Sequence, residues 1–247
     1  MPQKFRQILG LRFYVGDFAG LLDLSMAGGL IAVPSAPVLV DLADSLAHRE
    51  ALENSDFAIT DSGFMVMLWA ILKGESLPRI SGLRLLRGLL GRPEFRQLGA
   101  TYWIMPSAED AEGNCAWLRG QGIPVGPESC YVAPRYPAGP LEDAVLLDRI
   151  EIAQPKFVVL CVGGGVQERL GYYLRSHLSG RPTLLCTGAA IAFLSGRQTN
   201  IPVWADRMVL GWFLRLMSSP RLYLPRYKKS LRLPYLLWKY GANSVSK

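Results

Sequence analysis

The sequence predicts an α/β protein: a Rossmann-like, mostly parallel sheet flanked by helices, with a basic helical C-terminal appendage. Three observations predict it. Apolar runs of about four to eight residues alternate with helical patterns, the order of a parallel sheet covered on both faces. Several of these runs end in turns rich in glycine, serine or proline, the places where such sheets take ligands. The charge is uneven as well: residues 201–247 carry nine basic side chains and one acid, for +8, which leaves −1 for residues 1–200.

In chain order, 29–63 reads as a strand, a turn at Pro34-Ser35, a helix over about 37–53 and a second strand ending at Asp61. Residues 64–73 form a strongly apolar helix closed by Gly74. A further helix is expected in 83–98 and a strand in 100–105. Ser107, followed by Glu109, Asp110 and Glu112, caps a helix running to about Arg119-Gly120. The stretch 125–140 is rich in proline and turn residues and precedes a helix over 142–153. Residues 156–162 make a buried strand entering the turn Gly163-Gly164-Gly165, with a helix from Gln167 to Leu178 behind it. A last strand and turn occupy 182–196. The tail lacks strand alternation, and short helices broken at Pro220, Pro225 and Pro234 are expected there.

Composition excludes several classes. The chain has 247 residues, half of them hydrophobic, enough for a sizeable core and too many for general disorder. Four dispersed cysteines argue against a disulfide scaffold or zinc ribbon and suit a reducing compartment, and two histidines do not make a multi-histidine metal site. The longest charge-free run, 24–40, has 17 residues and is interrupted by glycines and prolines, against about 20 apolar residues for a membrane span. No signal peptide is read at the N-terminus. The expectation is a cytoplasmic protein with a polyanionic partner. In the tail, arginines interleave with Leu, Trp and Pro, a pattern of the membrane–water interface, and no nucleic-acid recognition motif occurs. An anionic membrane surface is therefore the expected partner and nucleic acid is not; a solvated basic face is the plain alternative.

Three turns are candidates for chemistry: the one around Ser35, Asp61-Ser62-Gly63, and Gly163 to Glu168. The glycine turn has Glu168 where a dinucleotide fingerprint has its third glycine, so it suits a nucleotide phosphate better than a nicotinamide cofactor. Neither a P-loop nor a Gly-x-Ser-x-Gly elbow is present. Asp61 ends an apolar strand, where a carboxylate serves either as general base toward a hydroxyl or as N-cap of the following helix. Glu168 lies in a helix first turn, which by itself explains an acid. Arg79 is placed to hold a phosphate or to lie in solvent. The acids at 110, 112, 142 and 143 fall in helix first turns and read as caps.

Taken in order, five segments resemble the WecG/TagA/CpsF glycosyltransferases (glycosyltransferase family 26) over roughly 10–235. They are Asp61-Ser62-Gly63, the 77–82 segment with Arg79, the 162–170 segment with Gln167-Glu168, the 187–196 segment, and the tail with Trp204, Trp212, Arg215, Pro220, Arg221, Arg226 and Tyr227. The resemblance implies a metal-independent, inverting transferase, with no cofactor, passing a sugar from a UDP-sugar to a polyprenyl-diphosphate-linked saccharide at the inner face of a bacterial membrane. It implies Asp61 as general base and Ser35, Arg79, Gly163, Gln167, Glu168, Thr187 and Gly188 as substrate-binding positions. Arg215, Arg221 and Arg226 would meet phosphates of the lipid diphosphate or of UDP. Residues 1–200 would then be the catalytic core and 201–247 a membrane-associating appendage whose removal leaves a folded core. Homo-oligomerisation through the 64–73 helix is open. The chain departs from the family pattern at Val33-Pro34-Ser35, at Leu83-Arg84-Leu85, at Ala192 and at Gly211. Those changes point away from an N-acetylmannosamine donor, toward a glucose-type or uronic sugar, or toward an inactive relative that binds the membrane surface as a scaffold.

Overall fold

A short hairpin starts the sheet. Strands β1 (Phe5–Ile8) and β2 (Leu11–Tyr14) pair antiparallel around Leu9 and Gly10, both at positive φ (53° and 81°), the geometry of a tight hairpin turn. The computed structural model describes residues 4–198 and 217–245. Within them the hairpin is followed by β3 (Gly29–Ala32), β4 (Phe57–Ile59), β5 (Thr101–Met105), β6 (Cys130–Val132), β7 (Phe157–Leu160) and β8 (Thr183–Cys186). The order across the sheet is β1-β2-β4-β3-β8-β7-β5-β6, and every pairing after the hairpin is parallel. All residues of β3, β5, β7 and β8 are buried, as strands covered on both faces must be.

Successive strand residues point to opposite faces, and each face gathers its own helices. Ile31, Ile59, Trp103, Val159 and Leu185 pack against α1 (Phe18–Leu24), α5 (Gly82–Leu90), α6 (Ala108–Gly120) and α9 (Ala190–Leu194). On the other face, Phe13, Ala32 and Ala58 meet α2 (Ala36–Val40), α3 (Leu46–Glu53) and α4 (Gly63–Lys73). Leu30, Ile104, Val158 and Leu184 meet α7 (Ala144–Ala153) and α8 (Val166–His177). Each fully buried Leu or Ile in these layers contributes about 1.5–3 kcal/mol of transfer free energy.

The structure refines the expected elements. The helix read over 37–53 is two, because the chain turns at Asp41 to Ser45 and Ser45 caps α3 by accepting from His48 N (3.3 Å). The hairpin, α1 and the edge strand β6 are additions to the expected set. The expected caps are present: Ser107 accepts from Asp110 N (3.1 Å), Asp143 from Leu146 N (2.9 Å), and Gly74 closes α4 at φ 66°.

The described part of the tail forms α10 (Pro220–Ser230) and α11 (Leu233–Tyr240). Pro220 and Pro234 sit in first turns, where a missing N–H costs nothing. Pro225 lies inside α10 and does not break it, contrary to the expectation. Leu233, Leu236, Leu237 and Val245 are buried in the same cluster as α2 and α4. Leu9 N and Gly10 N donate to the carbonyls of Gly241 (2.8 Å) and Ala242 (3.1 Å), so the chain end pins the β1–β2 turn. A Cβ on Gly10 would stand 2.7 Å from Ser244 Cα, which is why glycine is needed there. Lys229 pairs with Asp41, and Arg232 with Asp44 at 2.7 Å. Two of the tail's cations are thus committed to the fold, and removing 205–247 would strip at least four buried apolar side chains from the core. Among the described residues no helix is long and apolar enough to cross a membrane.

Candidate active site at the carboxyl edge of the sheet

Because β4, β3, β8 and β7 are neighbours and parallel, the turns after them stand in a row along one edge. They carry Asp61, Ser35, Thr187-Gly188 and Gly163 to Glu168 respectively. The chain leaves β8 toward α9 on one face of the sheet, but leaves β3 and β7 toward α2 and α8 on the other. Such a divergence opens a crevice beyond the strand ends. Seven of the sequence-predicted site residues therefore share one edge.

Asp61 is not the cap of α4. That task falls to Ser62, whose Oγ accepts from Met65 N (3.2 Å). The Asp61 carboxylate reaches across to α5, where Oδ1 accepts from Gly82 N, the first helical residue, at 2.9 Å. Arg79 Nε donates to the Asp61 carbonyl (3.0 Å). Thr60, one residue earlier, donates its hydroxyl to Pro78 O (2.5 Å) and accepts from Ile80 N (3.3 Å). The 78–82 segment is thus laced to the end of β4, and Asp61 is half-buried with its carboxylate at a helix N-terminus. Val33 closes the floor: a Cβ on Gly82 would stand 2.7 Å from Val33 Cγ1. Ser35 occupies the N-cap position of α2, half-buried, without a side-chain capping bond.

The glycine turn is held by Glu168. Its Oε2 accepts from Gly165 N (2.5 Å), closing the first turn of α8, and its Oε1 accepts from Gln167 Nε2 (2.9 Å). Both oxygens face inward, so Glu168 shapes the turn and orients Gln167. Gln167 is 4% exposed and Thr187 7%, yet among the described residues Gln167 Oε1 and Thr187 Oγ1 have no hydrogen-bond partner. Burying a polar atom unpaired costs about 1–3 kcal/mol, and such atoms mark a place where something else bonds. Gly188 joins the two turns: at φ 55° its Cβ would lie 3.4 Å from Gln167 Oε1. Burial and the Glu168 charge push the Cys186 thiol up, so it stays protonated and donates to Gln167 O (3.4 Å). Gly163 is exposed at the mouth of the turn.

Two contributors were not read from the sequence. Gly82 supplies the N–H that holds Asp61; its signal was Ser81, a standard N-cap type preceding it. Arg169 donates from Nε to Gly165 O (2.8 Å) and from Nη1 to Pro137 O (3.0 Å) and Gly139 O, tying the glycine turn to the proline-rich loop. Of the tail arginines, Arg215 lies outside the described residues. Arg221 and Arg226 are exposed on α10, with the Arg226 guanidinium 5.8 Å from the Tyr223 ring centre. Ala192 is buried in α9. Trp204, Trp212 and Gly211 also lie outside the described residues. No group of three or more His, Cys, Asp or Glu among the described residues is placed to hold a metal ion.

The chain also matches known proteins. The Glycosyl transferase WecG/TagA/CpsF family profile matches residues 6–247. A curated relative, the N-acetylglucosaminyldiphosphoundecaprenol N-acetyl-beta-D-mannosaminyltransferase of Bacillus subtilis (strain 168), is 24% identical over 209 residues, covering 84% of this chain and 77% of the relative. With its edge of aligned turns and a profile match across nearly its whole length, this chain belongs to the WecG/TagA/CpsF family of glycosyltransferases.

Proposed function

We propose that the chain transfers a sugar, with inversion, from a UDP-sugar to a polyprenyl-diphosphate-linked saccharide, and that it does so without a metal ion. The observation that carries this reading is Asp61: it stands at the carboxyl end of β4, freed from capping α4 by Ser62 and oriented by Gly82 N. In the reaction the Asp61 carboxylate takes the proton of an acceptor hydroxyl as the oxygen attacks the anomeric carbon of the donor. Attack from the face opposite the diphosphate inverts that carbon, and UDP leaves. The departing negative charge meets N–H groups of the Gly163 to Glu168 turn at the start of α8, and Arg79. Gln167 Oε1 and Thr187 Oγ1 find their missing partners on the donor. The relative's name supports a lipid-linked N-acetylglucosaminyl diphosphate acceptor and an N-acetylmannosamine donor, and the tail with Arg215, Arg221 and Arg226 supplies cations to an anionic membrane surface. The altered side chains at Ser35 and Ala192 make the donor sugar the variable to test.

The test is a UDP-release assay on a panel of UDP-sugars, N-acetylmannosamine and glucose forms included, with short-chain polyprenyl-diphosphate N-acetylglucosamine in detergent and EDTA. Acceptor-dependent release with one donor is the expected result. Silence across the panel together with no calorimetric UDP binding overturns the proposal in favour of a non-catalytic scaffold.

A further inference from the structure

We propose that α4 is a membrane contact in its own right: an apolar ridge along it seats in the headgroup region of an anionic bilayer beside α11, and so sets the height of Asp61 above the lipid. The purpose given to this contact rests on the lipid-linked acceptor proposed above; the contact itself does not.

Phe64, Met67, Leu68 and Ile71 recur at the spacing of one helix face; Phe64 and Leu68 are half-buried against the core that Met65 and Trp69 fill, while Met67 and Ile71 stand clear of it. The ridge emerges toward the C-terminal end of the helix: Met67 is 49% and Ile71 71% exposed, and Leu72 and Lys73 are exposed beyond them. Soluble surfaces carry scattered apolar residues, but an ordered ridge of them next to a second such surface marks an interaction site. That second surface is α11, which shares the buried cluster of α4 and turns Tyr235 and Trp238 outward. The Lys239 ammonium stands 5.8 Å from the Tyr235 ring centre and 4.9 Å from that of Tyr240. Leu231, between the two tail helices, is exposed as well.

Charge decides the occupant. Neither α4, α10 nor α11 contains an acid, whereas Lys73, Lys228 and Lys239 are exposed on them. The first acid beyond α4, Glu75, is ion-paired with Arg6 and accepts from Trp69 Nε1 (3.1 Å). Apolar side chains, aromatic rings and unopposed ammonium groups on adjoining helices fit the interface of an anionic bilayer. At eleven residues α4 is about 16 Å long, too short to span about 30 Å of hydrocarbon, so it lies at the surface. Asp61 directly precedes its Ser62 cap, so its carboxylate stands within about one helix length, roughly 16 Å, of the seated end of α4.

The test is co-sedimentation of the full chain with vesicles of equimolar phosphatidylglycerol and phosphatidylcholine, at low and high salt. Met67→Ser/Ile71→Ser is compared with Leu98→Ser/Ile152→Ser, a pair at least as exposed on the opposite edge of the sheet. The ridge pair is expected to lose about tenfold or more of vesicle partitioning at both salts, and the matched pair to stay within about twofold. Ile71→Trp works in the opposite direction and is expected to strengthen partitioning several-fold, so the outcome does not hinge on a destabilised variant. Equal losses for both pairs, or no loss for either, overturn the proposal. So does a ridge pair that only converts a dimer to a monomer by light scattering while vesicle binding persists, which would make the ridge a contact between copies. UDP release in detergent, read on the same samples, separates this result from the transferase reading: absent turnover with ridge-dependent vesicle binding sinks the latter alone.

Discussion

The two edges of the sheet are built from the same strands but present their polar groups differently. At the amino edge Asp56 accepts from Leu30 N (2.7 Å), Arg175 Nε (2.8 Å) and Arg181 Nη2 (2.7 Å). At the carboxyl edge Gln167 Oε1 and Thr187 Oγ1 are buried without partners, and the first turns of α5 and α8 open there. Two clefts lie at the amino edge: one of about 310 Å³ lined by Gly28, Gln154, Lys156 and Arg181, and one of about 480 Å³ lined by Leu98, Tyr102, Arg149 and Ile152. Hollow volume alone does not make a site for a charged nucleotide. Donors and acceptors awaiting a partner, converging where helices begin, do.

Substitutions at the two edges sharpen that contrast. The largest effect is expected from Asp61→Asn, which keeps the hydrogen bond geometry but removes the base: turnover should fall on the order of 10²–10⁴-fold while calorimetric UDP affinity is retained. Loss of UDP binding or of the folded state would instead assign Asp61 to architecture. Next, Gln167→Ala should raise the donor KM about tenfold or more, by deleting a buried acceptor, Oε1, that has no partner among the described residues, while the side-chain amide donates to Glu168. Thr187→Val is a finer probe. Its hydroxyl has no partner among the described residues, so thermal stability should hold or rise slightly while the donor KM increases a few-fold. A drop in Tm with unchanged KM would show the hydroxyl is structural.

The amino edge should respond in the opposite sense. Asp56→Asn is expected to leave kcat and KM unchanged and to cost about 1–3 kcal/mol of stability by denaturant titration. Burial alone would raise the Asp56 carboxyl, but hydrogen bonds from Arg175 and Leu30 and the charges of Arg175 and Arg181 outweigh it and lower it. A carboxyl lowered on folding stabilises the protein above its unfolded value, near 3.9, and loses that contribution as pH falls through the lower folded value. The wild type and Asp56→Asn stability curves should therefore converge below about pH 4. Curves that stay parallel through that range would remove Asp56 from the account.

Legibility followed locality. The parallel strands, their order along the chain and the position of Asp61 are visible because buried strands are apolar runs and their turns carry glycine and serine. The caps at Ser107 and Asp143 are visible because one side chain decides each. The β1–β2 hairpin was not, since its turn is Leu9-Gly10 rather than an Asn-Gly pair and is stabilised by Gly241 and Ala242, more than two hundred residues away. Nor could sequence assign the cap of α4 between Asp61 and its neighbour Ser62, both good capping residues; the choice is made by Gly82 N, drawn to Asp61 from another helix. Glu168 showed the reverse: its position was evident, but not that both oxygens turn inward. In the tail, composition revealed the cations and aromatics but not that Lys229 and Arg232 are held by Asp41 and Asp44.

The most direct test of the central claim is amide hydrogen exchange of the full chain with and without UDP. Nucleotide seated at the carboxyl edge should slow exchange in the Gly163 to Glu168 turn and around Gly188, and leave the amides lining the clefts near Gly28 and Tyr102 unchanged. Protection confined to the amino-edge clefts, with the glycine turn unaffected, would contradict it.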